Sequence, residues 1–284
     1  MQSTRVSFPD GSLTGIGEVM LVDRESSVVV VDATPFHPVD HTWPDQPGDS
    51  GVILLDGIRV EVSEAVMAAV DDGGTLFVSG DIPVKRGAEG WTWLVAHRID
   101  GELPADLSVG AAVALEVDAG RRAALSRGHT ACHLASLALD GALAELWRKE
   151  IAGDPLGNPD FEGRANQSSR IHDDGSVDEY RLGKSLRKAG FDSEGFAATL
   201  VSREARINEL LAGWVASGGT SRIEVEGPSI IDRRHWRCEL PEAEVGFLCG
   251  GTHASSLAEF AAITVSLDLT DPQLLVMTTS AVPA

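Results

Sequence analysis

Ser126 to Lys149 reads SRGHTACHLASLALDGALAELWRK, and its spacing predicts a buried helix. Leu134, Leu137, Ala138, Ala142 and Leu146 fall on or near one face, as packing against a core requires. His129 and His133 stand i, i+4 in the same stretch, so their imidazoles share a face, one turn apart. Two ring nitrogens so placed can reach one ion at roughly 2.0–2.1 Å. Taken alone, the pair equally suits two packed or surface histidines.

A second element changes that weight. Cys249-Gly250-Gly251-Thr252-His253 sets a thiol and an imidazole four apart. Gly-Gly between them argues against a helix and lets the backbone fold tightly, so that both side chains can point at one spot. His129, His133, Cys249 and His253 then form a Cys-His₃ set. Its donors favour Zn2+ over calcium or magnesium. The ion itself would stabilise the Cys249 thiolate. Four protein ligands fill a tetrahedral zinc, which marks a structural site, whereas a catalytic ion keeps a position open. The sequence leaves both arrangements open.

Upstream of the helix the chain is β-rich. Ser27–Asp32, Val52–Leu55, Ile58–Val62, Thr75–Val78 and Trp91–Val95 read as short strands, with turns at Asp10-Gly11, Asp56-Gly57, Gly73-Gly74 and Glu89-Gly90. That texture predicts a small barrel-like domain over residues 1–105. Val109–Asp118 reads as one more strand. Residues 106–284 read as an α+β metal-binding domain: the histidine helix, a polar loop over Ile151–Val177, and a helix over Asp192–Ala216 ended by Gly218-Gly219. Strands follow at Ile223–Val225, Trp236–Glu239 and Ala262–Leu269. The fold class expected is α+β.

The 284 residues are 43% hydrophobic and 23% charged, enough for a sizeable core. The formal net charge is −20, so a nucleic-acid partner needs a local basic patch acting against the global field. Three cysteines, Cys132, Cys238 and Cys249, do not suggest a disulfide framework. With no apolar leader after Met1 and no membrane-length run, the reading is a cytoplasmic protein with no membrane and no DNA partner.

The sequence resembles the editing domain shared by alanyl-tRNA synthetase and its free-standing relatives, the AlaX proteins. Four landmarks carry the resemblance in family order: Thr34-Pro35-Phe36-His37-Pro38; Gln46-Pro47-Gly48-Asp49-Ser50-Gly51-Val52; Val117-Asp118 with Arg121-Arg122 leading into Arg127-Gly128-His129-Thr130-Ala131-Cys132-His133-Leu134; and the Cys249–His253 element. Threonyl-tRNA synthetase editing domains share the ligand layout but match the intervening residues less well. The resemblance implies a zinc-dependent, ATP-independent trans-editing hydrolase that deacylates mischarged alanine tRNA carrying serine or glycine. It places Gln46 and Gln167 as substrate contacts. No side chain takes a catalytic role beyond water activated by the ion.

The chain departs from the pattern in places. His37 to Asp45 is longer than the family's compact turn, and His37 and His41 read as loop histidines, since Pro38 disfavours a helix. Cys132 stands about 100° round the helix from His133 and reads as a packing residue, and Cys238 as a strand residue. Asp178-Glu179-Tyr180 adds negative charge near where an RNA end would enter. Arg121, Arg122, Arg127, Arg233, Arg234 and Arg237 are the cations that could meet phosphate, or else pair with an acidic surface. Two further readings stay open: a related hydrolase of a small aminoacyl ester, and a zinc-stapled binding module without catalysis.

Overall fold

The computed structural model describes Met1–Ala284. The chain is a mixed helix-and-sheet protein that divides into two compact units. The first is built mainly from Met1–Ala123, the second mainly from Ala124–Arg222 and His253–Ala284. No helix is long and apolar enough to cross a membrane.

The first unit contains β1 (Arg5–Val6), β2 (Thr14–Asp23), β3 (Val28–Val31), β4 (Ala33–Thr34), β5 (Gly51–Leu55), β6 (Ile58–Val70), β7 (Leu76–Val78), β8 (Thr92–Ile99) and β9 (Ala112–Val117). Seven of them form one sheet in the order β5-β9-β2-β3-β8-β6-β7, and a further β5–β6 pairing partly closes it on itself. β6 makes that closure possible by its length. Its Ile58–Val62 half pairs with β5 and its later half with β8, with a register shift between Val62 and Glu64. The four valines of β3 are all buried. Alternate side chains point to opposite faces of a strand, so Val29 and Val31 join one core while Val28 and Val30 join another.

β2 and most of β6 exceed the expected strands. In β2, Gly15 and Gly17 dilute the hydropathy, and a close backbone approach explains Gly17. A Cβ on Gly17 would stand 2.7 Å from the Ala33 carbonyl oxygen.

The later elements are α1 (Ala119–Leu143), α2 (Glu162–Ala165), β10 (Asn166–His172), β11 (Gly175–Arg181), α3 (Lys184–Ala189), α4 (Ser193–Ser217), β12 (Ser221–Val225), β13 (Arg234–Glu239), β14 (Glu244–Leu248), β15 (Phe260–Asp268) and β16 (Leu274–Pro283). The histidine helix starts seven residues before the predicted Ser126, because Asp118 ends β9 and its side chain accepts the Arg121 N–H at 3.1 Å, a capping contact. It ends at Leu143, followed by a single tight turn, Ala144–Leu146. α4 matches its prediction: Asp192 caps its start through the Gly195 N–H, and Gly218 ends it at φ 64°.

The polar loop expected over Ile151–Val177 is a correction. Asn166–His172 and Gly175–Arg181 form a hairpin in the four-stranded sheet β10-β11-β16-β15. The strands were hidden because several of their buried positions are polar. Ser169, Ser176 and Asp178 point inward, and the Asp178 carboxylate accepts hydrogen bonds from the Ser176 hydroxyl at 2.7 Å and the Cys132 thiol at 3.4 Å. Asp178 therefore lies in the interior, where burial raises its carboxyl above the ordinary range, and not on a surface that RNA could approach.

Candidate metal centre

α1 carries His129 and His133 on one face, with ring centroids 4.8 Å apart. The His253 ring lies 4.4 Å from His129 and 5.3 Å from His133. With Cys249 the group is complete: the ligand atoms of His129, His133, Cys249 and His253 all lie within 4.8 Å of one another. Four donors that sequence separates by up to 124 positions thus converge on one point.

Local packing holds each donor. α1 can lie against the β10–β11 turn because residue 128 has no side chain. A Cβ there would stand 2.5 Å from the His172 carbonyl oxygen and 2.7 Å from that of Gly175. The His133 ring stacks on Phe247 at 5.0 Å and on Trp236 at 5.1 Å, with interplanar angles of 14° and 25°. His253 approaches the Thr130 hydroxyl through Nδ1 at 3.2 Å, and the same hydroxyl accepts the Ala254 N–H at 3.1 Å.

The Cys249–His253 turn is held at its middle. The Gln46 amide donates to the Thr252 hydroxyl at 2.9 Å, and its oxygen accepts the Thr252 N–H at 3.0 Å. At its start, the Cys249 N–H donates to the Arg234 carbonyl oxygen at 3.1 Å.

Burial sets the protonation of two donors. It lowers the His133 imidazole to about 4, so the ring is neutral at physiological pH with a lone pair available. It pushes the Cys249 thiol up to about 12, so the thiolate that a metal requires is disfavoured until a cation offsets the desolvation. Three imidazoles and a thiol at these distances fit a metal ion that takes nitrogen and sulfur ligands.

The remaining candidates lie as follows. Gln46 is buried, with its amide on Thr252. Gln167 is exposed, its amide donating to its own chain at Asn166 O, 2.8 Å. His37 is buried edge-on to Phe8, and His41 tilts against Trp93. Cys132 and Cys238 are buried.

Among the cations, Arg122 and Arg234 are buried. Arg122 reaches Asp49 through Nε at 2.9 Å and through its terminal nitrogen, which also donates to Pro35 O. Arg234 donates to the Ser229 and Ile230 carbonyls. Arg127 pairs with Asp174 at 2.6 Å, while Arg233 is exposed. The motif around Gln46 is therefore a structural knot. Asp49 also accepts the His37 N–H, and a Cβ on Gly48 would stand 1.8 Å from the Ala65 carbonyl oxygen. Sequence reasoning missed Thr130, Trp236 and Phe247, none of which carries a spacing signal.

No family model matches the chain. The chain is 29% identical over 263 residues to a protein named alanine--tRNA ligase from Parafrankia sp. (strain EAN1pec), covering 91% of this chain and 24% of that protein. The protein of the same name from Nitrobacter winogradskyi is 26% identical over 259 residues, covering 85% of this chain and 24% of its own length. That of Frankia casuarinae is 38% identical over 141 residues, covering 49% of this chain and 12% of its own length. The chain spans 24% or less of the length of these curated relatives.

Proposed function

We propose that this protein is a zinc-dependent hydrolase that removes a wrongly attached serine or glycine from alanine tRNA. The observation that carries the reading is the convergence of His129, His133, Cys249 and His253, in a chain aligned over 91% of its length with a protein named alanine--tRNA ligase. On this reading residues 1–105 are a barrel-like domain and residues 106–284 the editing domain. A zinc ion held among these donors would supply Lewis acidity toward an ester carbonyl, provided that one donor stands back or the coordination expands to admit the substrate.

The protein's own groups do the rest. His133 is kept neutral by burial and fixed in plane by Phe247 and Trp236. Gln46 holds Thr252, and with it the turn between Cys249 and His253, so its role is positioning of the ligand turn. Gln167, exposed on the edge strand β10, is free of any such duty and is the proposed substrate contact.

A second reading has its own observation. Two of the arginines available for phosphate are buried, and a third is paired, in a chain of net charge −20. That favours a small aminoacyl ester over a whole tRNA. Metal analysis of the wild type and of His129→Ala, with hydrolysis assayed on both Ser-tRNA(Ala) and a tRNA-free seryl ester, tests both readings. Zinc-dependent release from the tRNA alone supports the first, and release from the free ester without RNA binding at low salt supports the second. Zinc-loaded protein inert on both overturns the hydrolase.

A further inference from the structure

We infer that Thr130 is the positioning residue that decides which nitrogen of His253 faces the ligand cluster. The inference rests on the metal reading above and adds a residue to it. Thr130 sits on α1 between the two helical histidines and is fully buried. Its hydroxyl makes two contacts to consecutive residues of the facing segment: the Ala254 N–H at 3.1 Å and His253 Nδ1 at 3.2 Å.

The proton accounting follows from those contacts. A backbone N–H can only donate, so the hydroxyl oxygen accepts from Ala254 and has one lone pair and one hydrogen left. With Nδ1 turned toward Thr130, the other ring nitrogen, Nε2, is the one available to the cluster. An imidazole that ligates through one nitrogen and stays neutral carries its hydrogen on the other. That hydrogen is on Nδ1 and points at the Thr130 oxygen, which takes it on its second lone pair.

One side chain thus fixes the His253 tautomer and ring plane and ties the segment after the Cys-Gly-Gly-Thr-His turn to the helix that bears the other two imidazoles. Groups that orient ligating histidines in this way typically carry about 10–100-fold in metal affinity. Valine is the informative replacement. It keeps the shape and removes both acceptor functions, leaving the Ala254 N–H and the imidazole without their partner. Serine restores the oxygen and loses only a methyl group.

The test measures zinc affinity of the full chain by chelator competition for wild type, Thr130→Val and Thr130→Ser. A ¹⁵N spectrum of the zinc-loaded wild type reads the His253 ring. The expected result is a drop of about 10–100-fold in T130V, near-complete recovery in T130S, and a hydrogen on His253 Nδ1. Melting with chelator present checks that both variants fold. If T130V does not fold, the wild-type spectrum and T130S still decide. Zinc bound as tightly by folded T130V as by wild type, or a His253 hydrogen on Nε2, overturns the inference. Wild-type protein that takes no zinc overturns both this and the proposed function. Zinc-loaded protein that shows these shifts yet cleaves no ester overturns the hydrolase alone.

Discussion

Replacing Gln46 by leucine separates a positioning role from substrate contact. The Gln46 side chain is 1% exposed and grips Thr252 at two points, accepting its N–H and donating to its hydroxyl. Leucine has similar bulk and neither function. Each lost hydrogen bond removes about 0.5–1.5 kcal/mol net, and a buried donor left stranded adds about 1–3 kcal/mol. Thr252 is 3% exposed, so water does not readily replace the amide. Its hydroxyl can rotate to another acceptor, but its N–H cannot. The expected loss for Q46L is therefore about 2–4 kcal/mol, or a fall of roughly 3–7 °C in melting temperature for a chain of this size. Thr252 lies between Cys249 and His253, two of the proposed zinc ligands, so zinc affinity is expected to fall in the same variant. Gln46→Glu keeps an acceptor for the Thr252 N–H and loses less of both. Thermal melts and zinc competition on the three proteins read the outcome. If Q46L melts and binds zinc like wild type but loses ester hydrolysis, Gln46 contacts substrate and the positioning argument is wrong.

Other substitutions probe the frame around the site. Gly128→Ala forces a methyl group against the His172 and Gly175 carbonyls and should destabilise by about 1–3 kcal/mol or more. Gly141→Ala on the same helix meets nothing closer than 3.5 Å and should be neutral or stabilising, so equal urea midpoints for the two would refute the crossing argument. Asp49→Asn strands the buried Arg122 guanidinium and should cost about 3–5 kcal/mol, read by urea unfolding; a loss under 1 kcal/mol would mean that Arg122 finds another partner. Burial, with help from Asp154, Asp160 and Glu162, raises the Asp140 carboxyl to about 8. The folded state then holds a proton that the unfolded chain, with its ordinary carboxyl near 3.8, releases. Stability falls as pH rises from about 4 to about 8 through this group. Asp140→Asn should flatten that fall in urea midpoints, and an unchanged slope would exclude Asp140 as its source.

Much of the site was legible because it is encoded in short spacings. The i, i+4 histidines need only a helix to share a face, and Gly250-Gly251 needs only a turn to bring Cys249 toward His253. What joins distant segments was not legible. The Gln46–Thr252 contact spans 206 positions, and nothing in either motif names its partner. Arg122 reads as a surface cation until the Asp49 carboxylate is seen beside it. Likewise, β10 and β11 escape hydropathy because serines and an aspartate fill inward positions where an apolar alternation is expected. Thr130 carries no signal at all, since its role exists only once His253 and Ala254 lie against α1.

The most direct test of the account is serine release from Ser-tRNA(Ala) by the purified full chain, followed as zinc is removed by chelator and returned in stoichiometric amount. The account predicts release that disappears with the metal and returns on restoring one zinc per chain. Zinc-replete protein that leaves Ser-tRNA(Ala) intact at enzyme excess would contradict it.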